Sequence, residues 1–156
     1  MYDKRTLWGW DTELSGFTRG NSDGIFTIDS IKIGFRICFE VRFPEYFREL
    51  YKSGAELCFV SFNDVSAAPN PERFALIRAH LQTRAVENIM MVISVNSTSK
   101  LQTAPTAIID PNGKTLLEAP RDKAYLMVHD YTAPAPDFGT EGRRANNDIL
   151  LGGSAP

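Results

Sequence analysis

Two stretches, "ELCFVSF" (56–62) and "MMVISVN" (90–96), constrain this chain more than any other feature of it. Each is apolar almost without interruption over the length of one strand. Strands of that kind are covered on both faces, so the chain must build layers around them. Between and beside them lie segments of a different period. "EYFRELYKSG", after Pro44, puts Phe47, Leu50 and Tyr51 on one helical stripe and stops at Gly54. "NPERFALIRAHLQTRAVENI" has Asn70 as N-cap and Pro71 in its first turn, with Phe74, Ile77, Leu81 and Val86 near helical spacing.

Further strands are expected from β-branched and aromatic content. "GIFTI" (24–28) and "IKIGFRICF" (31–39) meet at Asp29-Ser30, a tight hairpin. "TAIIDPNGKTLLEA" (106–119) reads as strand, Pro-Asn-Gly turn and strand, and "AYLMVHDY" (124–131) as a last strand. The remainder, 132–156, is rich in Pro, Gly and Ala without a sustained period, and is expected to run extended over a surface. The order of elements predicts an α/β domain over 1–131 followed by that tail.

Composition removes several functions. With 156 residues and 43% apolar content there is material for one real core. A net charge of −2 without a basic block gives nucleic-acid binding no electrostatic footing. No apolar run reaches the length of a membrane span and no signal-peptide pattern is visible, so the expected setting is cytoplasmic. Two cysteines and two distant histidines, His80 and His129, match no zinc spacing, and neither a metal nor another cofactor is expected.

The chemistry concentrates at "GFRICFEVRFPE" (34–45). There a strand delivers Cys38 into a sharp turn before a helix. Such a turn exposes a sulfur at the sheet's C-terminal edge and brings backbone N–H groups toward a thiolate or an oxyanion. The same pattern also describes an inert packed cysteine, and the strand alone does not decide between the two.

"ICFEVRFPE" (37–45) resembles the "ICYDxRFPE" signature of the nitrilase superfamily, the carbon–nitrogen hydrolases. "YDKRTLW" (2–8) is similar to that family's lysine motif, and "GAELCFVSF" (54–62), "RAVENIMMVISVN" (84–96) and "AIIDPNGK" (107–114) resemble its later blocks, in the family's order. The resemblance implies a four-layer α–β–β–α sandwich, here without its N-terminal strands and helices. It implies Cys38 as nucleophile toward an amide or nitrile carbon, Lys4 and the backbone N–H of Phe39 at the oxyanion, and Glu13 as a second acidic residue if about two residues are inserted before Phe17. The family's general-base glutamate precedes the lysine motif, and only three residues stand before Lys4 here. The expected reading is therefore a shortened chain, slow or inactive alone, with a non-catalytic interaction module as the alternative.

Several smaller expectations accompany this. Thr6 stands for the motif's histidine, Phe39 for a larger aromatic residue and Glu40 for aspartate. Glu40 and Arg42 are read as ordering the turn, Arg84 and Glu87 as a local ion pair, and both histidines as structural or exposed. Asn63 and Asp64, in "SFNDVSAAPNPE" (61–72), are the candidates to meet polar groups of a small amide or nitrile substrate. Uncovered sheet surface, together with family habit, predicts self-association through helices near 44–53 and 71–88.

Overall fold

The Asp29-Ser30 hairpin forms with both residues at positive φ (47° and 70°), the geometry that matches the twist of the strands it joins. It links β1 (Ile25–Ile28) to β2 (Ile31–Ile37). The chain then runs through a one-turn 3-10 helix (Cys38–Arg42), α2 (Pro44–Lys52), β3 (Leu57–Ser61), α3 (Pro71–Asn88), β4 (Met91–Val95), β5 (Ala107–Ile109) and β6 (Thr115–Glu118). A short helix, α1 (Gly9–Glu13), precedes the hairpin, and α4 (Phe138–Leu150) is the last element of the described residues. The structure, a computed structural model, describes residues 1–13 and 15–152, with the side chains of Trp10 and Glu13 outside that description.

The six strands form one sheet in chain order. β2, β3 and β4 are parallel, while β1, β5 and β6 pair antiparallel to their neighbours. Both parallel crossovers advance in the same direction, so helices of the usual hand fall on one face. There Phe47 and Leu50 of α2, and Ile77, Leu81 and Ala85 of α3, pack on Cys58, Val60, Val92 and Ile109. The α3 cap is as expected: the Asn70 side chain accepts from Arg73 N at 2.9 Å. Among the described residues no helix is long and apolar enough to cross a membrane.

The alternate residues of the same strands form a second apolar face, with Ile33, Leu57, Met91 and Ile108 buried and Phe35, Phe59 and Ile93 half-buried. Residues 124–131 go here rather than into the sheet. The expected last strand carries no ladder pairing; instead Met127 and Tyr131 lie against this face, and the Tyr131 hydroxyl donates to Glu56 at 3.0 Å. The tail is also not extended throughout. It turns helical after Asp137, whose carboxylate caps Thr140 N at 2.7 Å. The helix docks by polar bonds, from Asn147 to the Glu87 carbonyl (2.8 Å) and from Tyr51 to Asp148 (2.8 Å), which leave no apolar period to read.

One glycine sets the distance between α2 and the sheet. A Cβ at Gly34, in the middle of β2, would overlap the fully buried Leu50 side chain. Gly34→Ala is expected to cost about 1–3 kcal/mol through overpacking. Urea denaturation checks this: a lowered midpoint with unchanged slope is the expected outcome, and an unchanged midpoint would show that α2 is free to move away.

Candidate active site

Cys38 begins the turn that follows β2 with φ at +49°, a conformation that side chains other than glycine adopt only when held there. The register pairs Ile37 with Ser61, so Cys38 emerges beside the residues that leave β3, at the C-terminal edge of two parallel strands. A cleft of about 600 Å³ opens at this point, lined by Lys4, Asp11, Phe17, Cys38, Phe62 and Asn63 among others. The volume suits a small molecule.

Glu40 explains why Lys4 is there. Its carboxylate is fully buried and accepts from four donors: Arg5 N (2.6 Å), Thr6 N (3.2 Å), the Tyr2 hydroxyl (2.8 Å) and Ile37 N (2.7 Å). Three of these belong to the N-terminal segment and one to the end of β2, so a single side chain binds the lysine segment to the cysteine turn. The ordering role expected of Glu40 thus holds, but Arg42 is not its partner; Arg42 lies over the Phe39 ring instead. Burial and the Glu40 carboxylate both push the Tyr2 hydroxyl up, which keeps it a donor. Arg5 adds a two-oxygen ion pair to Glu49 of α2, at 2.5 and 3.0 Å, and Thr6 meets the Tyr46 hydroxyl. Arg36, which no motif singled out, is completely buried beneath this assembly. It donates to the carbonyls of Tyr46, Asp23 and Phe35 and stacks against Tyr2 and Tyr46.

Lys4 and Cys38 therefore share one cleft, and Asn63 joins them. Phe39 occupies the second position of the turn, where a backbone N–H has no partner within the helix. Asp64 does not face the cleft. It accepts from Arg73 Nε and Nη2 (3.1 and 2.9 Å on one oxygen, 3.0 Å on the other) and from the Thr103 hydroxyl (2.8 Å), which makes it a structural residue of its loop. Its main chain is fixed by Asn96, which bonds both Asp64 N and Asp64 O at 2.9 Å. Glu13 closes α1, and its side chain lies outside the described residues.

Asp11 went unnoticed in the sequence, where nothing distinguishes it from an ordinary loop carboxylate. It pairs with Lys4 Nζ at 2.5 Å and also accepts from Trp8 N, and the lysine hydrogen bond holds its carboxyl below the usual range. The Cys38 thiol is pushed up, by burial first and by the Asp64 charge second. Lys4, the Asn63 N–H and Arg73 oppose that shift. Cys58 is wholly buried, with its thiol pushed up to about 12, and is inert. Arg84 and Glu87 form the expected local ion pair (2.8 Å), and Arg84 also donates to the Val41 carbonyl, tying α3 to the cysteine turn. Neither histidine lines the cleft.

A model of the carbon-nitrogen hydrolase family matches residues 1–133. The chain belongs to the carbon-nitrogen hydrolases. The 2-oxoglutaramate amidase of Bacillus subtilis is 32% identical over 131 residues, 81% of this hydrolase chain and 49% of the relative. The chain thus spans about half the length of that curated relative. A solved amidase from Nesterenkonia sp. AN1 superposes with a TM-score of 0.66 at 21% identity, covering 96% of this chain and 57% of that one. A mutant of a Nesterenkonia sp. AN1 amidase, with a TM-score of 0.61 at 22% identity over 76% of this chain and 46% of its own, carries acrylamide added at its active-site cysteine. These superpositions give the fold: the nitrilase-like α/β sandwich, of which this hydrolase chain corresponds to about half.

Removing the carboxylate that joins the two segments is expected to separate them. Glu40→Ala leaves three backbone N–H groups and a tyrosine hydroxyl without their acceptor, a loss of roughly 3 kcal/mol. Hydrogen exchange resolves where the loss falls. Amides of residues 2–8 should exchange much faster while β3 and β4 keep their protection, and unaltered exchange at 2–8 would mean that other contacts hold the segment.

Proposed function

We propose that this chain supplies the nucleophile and oxyanion side of an amidase site, acting on small non-peptide amides or carbamoylated amines through a cysteine acyl-enzyme. The observation that carries the reading is the meeting of Lys4 and Cys38 in one cleft by way of Glu40. In this reading the Cys38 thiolate attacks the carbonyl carbon. The resulting oxyanion is received by the Lys4 ammonium and the Phe39 N–H. The carbon–nitrogen bond breaks as the nitrogen takes a proton and leaves, and water then cleaves the thioester to free the acid. The covalent adduct on the cysteine of the Nesterenkonia amidase supports the first step.

Proton transfer is the weak part of the site. Asp11 is committed to Lys4 and held anionic below the usual range, which makes it a feeble base at neutral pH. Acylation by a reactive amide is therefore expected to outpace turnover when this chain acts alone. The same ion pair favours a second reading, a non-catalytic module that keeps the fold, because it already neutralises the charge meant for the oxyanion.

Mass spectrometry after incubation with acrylamide or fluoroacetamide separates these readings. A mass increase confined to the Cys38 peptide is the expected result, reduced at least tenfold in rate by Lys4→Met. A folded sample without an adduct would end the nucleophile reading. Steady turnover by the chain, abolished by Cys38→Ala, would end the non-catalytic one.

Self-association through α2 and α3 is the accompanying proposal. Leu76 on α3 and Phe138, Ile149 and Leu150 on α4 are apolar and exposed, which supports it. Light scattering at micromolar concentration should give twice the chain mass, and a clean monomer would remove the proposal.

A further inference from the structure

The Asp64 ion pair looks at first like simple loop anchoring. Its position makes it more than that. Arg73, in the first turn of α3, reaches back to Asp64 with two nitrogens on two carboxylate oxygens, and the residue before Asp64 is Asn63, which lines the cleft together with Cys38. Asp64 is 7% exposed, so its charge is poorly screened by water, and the pairing of Ile37 with Ser61 brings the loop that carries it alongside the Cys38 turn. Thr103 and Asn96 hold the loop from the far side through neutral hydrogen bonds. Among the described residues Arg73 is therefore the cation that balances this carboxylate.

We propose that Arg73 is a positioning residue for the Cys38 site, neutralising the Asp64 carboxylate and fixing the Asn63 loop beside the cysteine. The inference rests on the reading of Cys38 as nucleophile. Charged groups stand on every side of the Cys38 turn: Asp3, Lys4 and Asp11 of the N-terminal segment line the cleft, and the Asp64–Arg73 pair, joining the loop after β3 to α3, lies outside its lining. Glu40, on the cysteine's own turn, is saturated by its four donors, and Arg42 lies over Phe39. Burial and Asp64 work against the thiolate, and Arg73 acts with Lys4 and the Asn63 N–H in its favour.

The two partners of the ion pair are predicted to act with opposite sign, which a merely structural role does not produce. The full chain is alkylated with iodoacetamide between pH 6 and 10, and adducts at Cys38 and Cys58 are told apart by peptide mass. Loss of the guanidinium in Arg73→Ala leaves Asp64 uncompensated. The midpoint of the Cys38 profile should then move up by about one pH unit, roughly tenfold slower at pH 7, as expected for the loss of one nearby opposite charge. Asp64→Asn should move the midpoint down and speed the reaction at pH 7. Arg73→Lys, which keeps the charge without the two-nitrogen grip, should fall between wild type and alanine, and it reads the effect if the alanine variant does not fold. Midpoints unmoved in folded variants, or shifted in the same direction by both partners, overturn the role of Arg73 alone. A wild-type Cys38 that resists alkylation across the whole range overturns the nucleophile reading beneath it.

Discussion

The site depends on one buried carboxylate. Glu40 is fully buried and held by neutral donors rather than by a counter-ion. Hydrogen bonds of that kind to an anion are stronger than neutral ones, and leaving any of the donors unpaired in the interior is expensive. The consequence is geometric. An N-terminal segment with little secondary structure of its own is fixed against the end of β2, and the lysine it carries cannot drift from the cysteine. Arg36 serves the layer below, donating to main-chain carbonyls and to the Glu49 carboxylate so that the loop before β1 and α2 share one anchor.

The same bonds make the strained backbone of Cys38 tolerable. A non-glycine residue at φ +49° stands above its preferred conformation by about 1–3 kcal/mol. The turn cannot relax without breaking the Ile37–Glu40 hydrogen bond behind it and the Arg84–Val41 bond ahead of it. Strain is thus held where the chain must present a sulfur outward, by contacts made in the protein interior.

Legibility in the sequence followed the range of the interactions. The hairpin at Asp29-Ser30, the Asn70 cap and the parallel strands are encoded by residues a few positions apart, and each appears as read. Cys38, Lys4 and Asn63 could be nominated from motifs and do meet in one cleft. What could not be read was long-range and polar. Helix α4 docks through asparagine, aspartate and tyrosine, so no apolar stripe announced it. Residues 124–131 have a strand's composition but spend it on covering a sheet face, a choice made by Met127 and Tyr131 only once the sheet exists. Asp64 has the look of a pocket residue until its distant partners, Arg73 and Thr103, are seen to consume it.

Charge around the sulfur is arranged in pairs, and this decides how a thiolate can form there. Lys4 stands with Asp11 and Arg73 with Asp64, so each cation that would favour the anion is accompanied by a carboxylate that would oppose it. The cleft offers the sulfur little net charge, and burial raises the thiol. Lys4, the Asn63 N–H and Arg73 oppose that rise, each with less weight than burial. Such an arrangement favours the thiol over the thiolate in the resting site. In the reading proposed for the site, a carbonyl oxygen that gains negative charge competes with Asp11 for the Lys4 ammonium, so this ion pair sets how much of the lysine's charge reaches the reacting group.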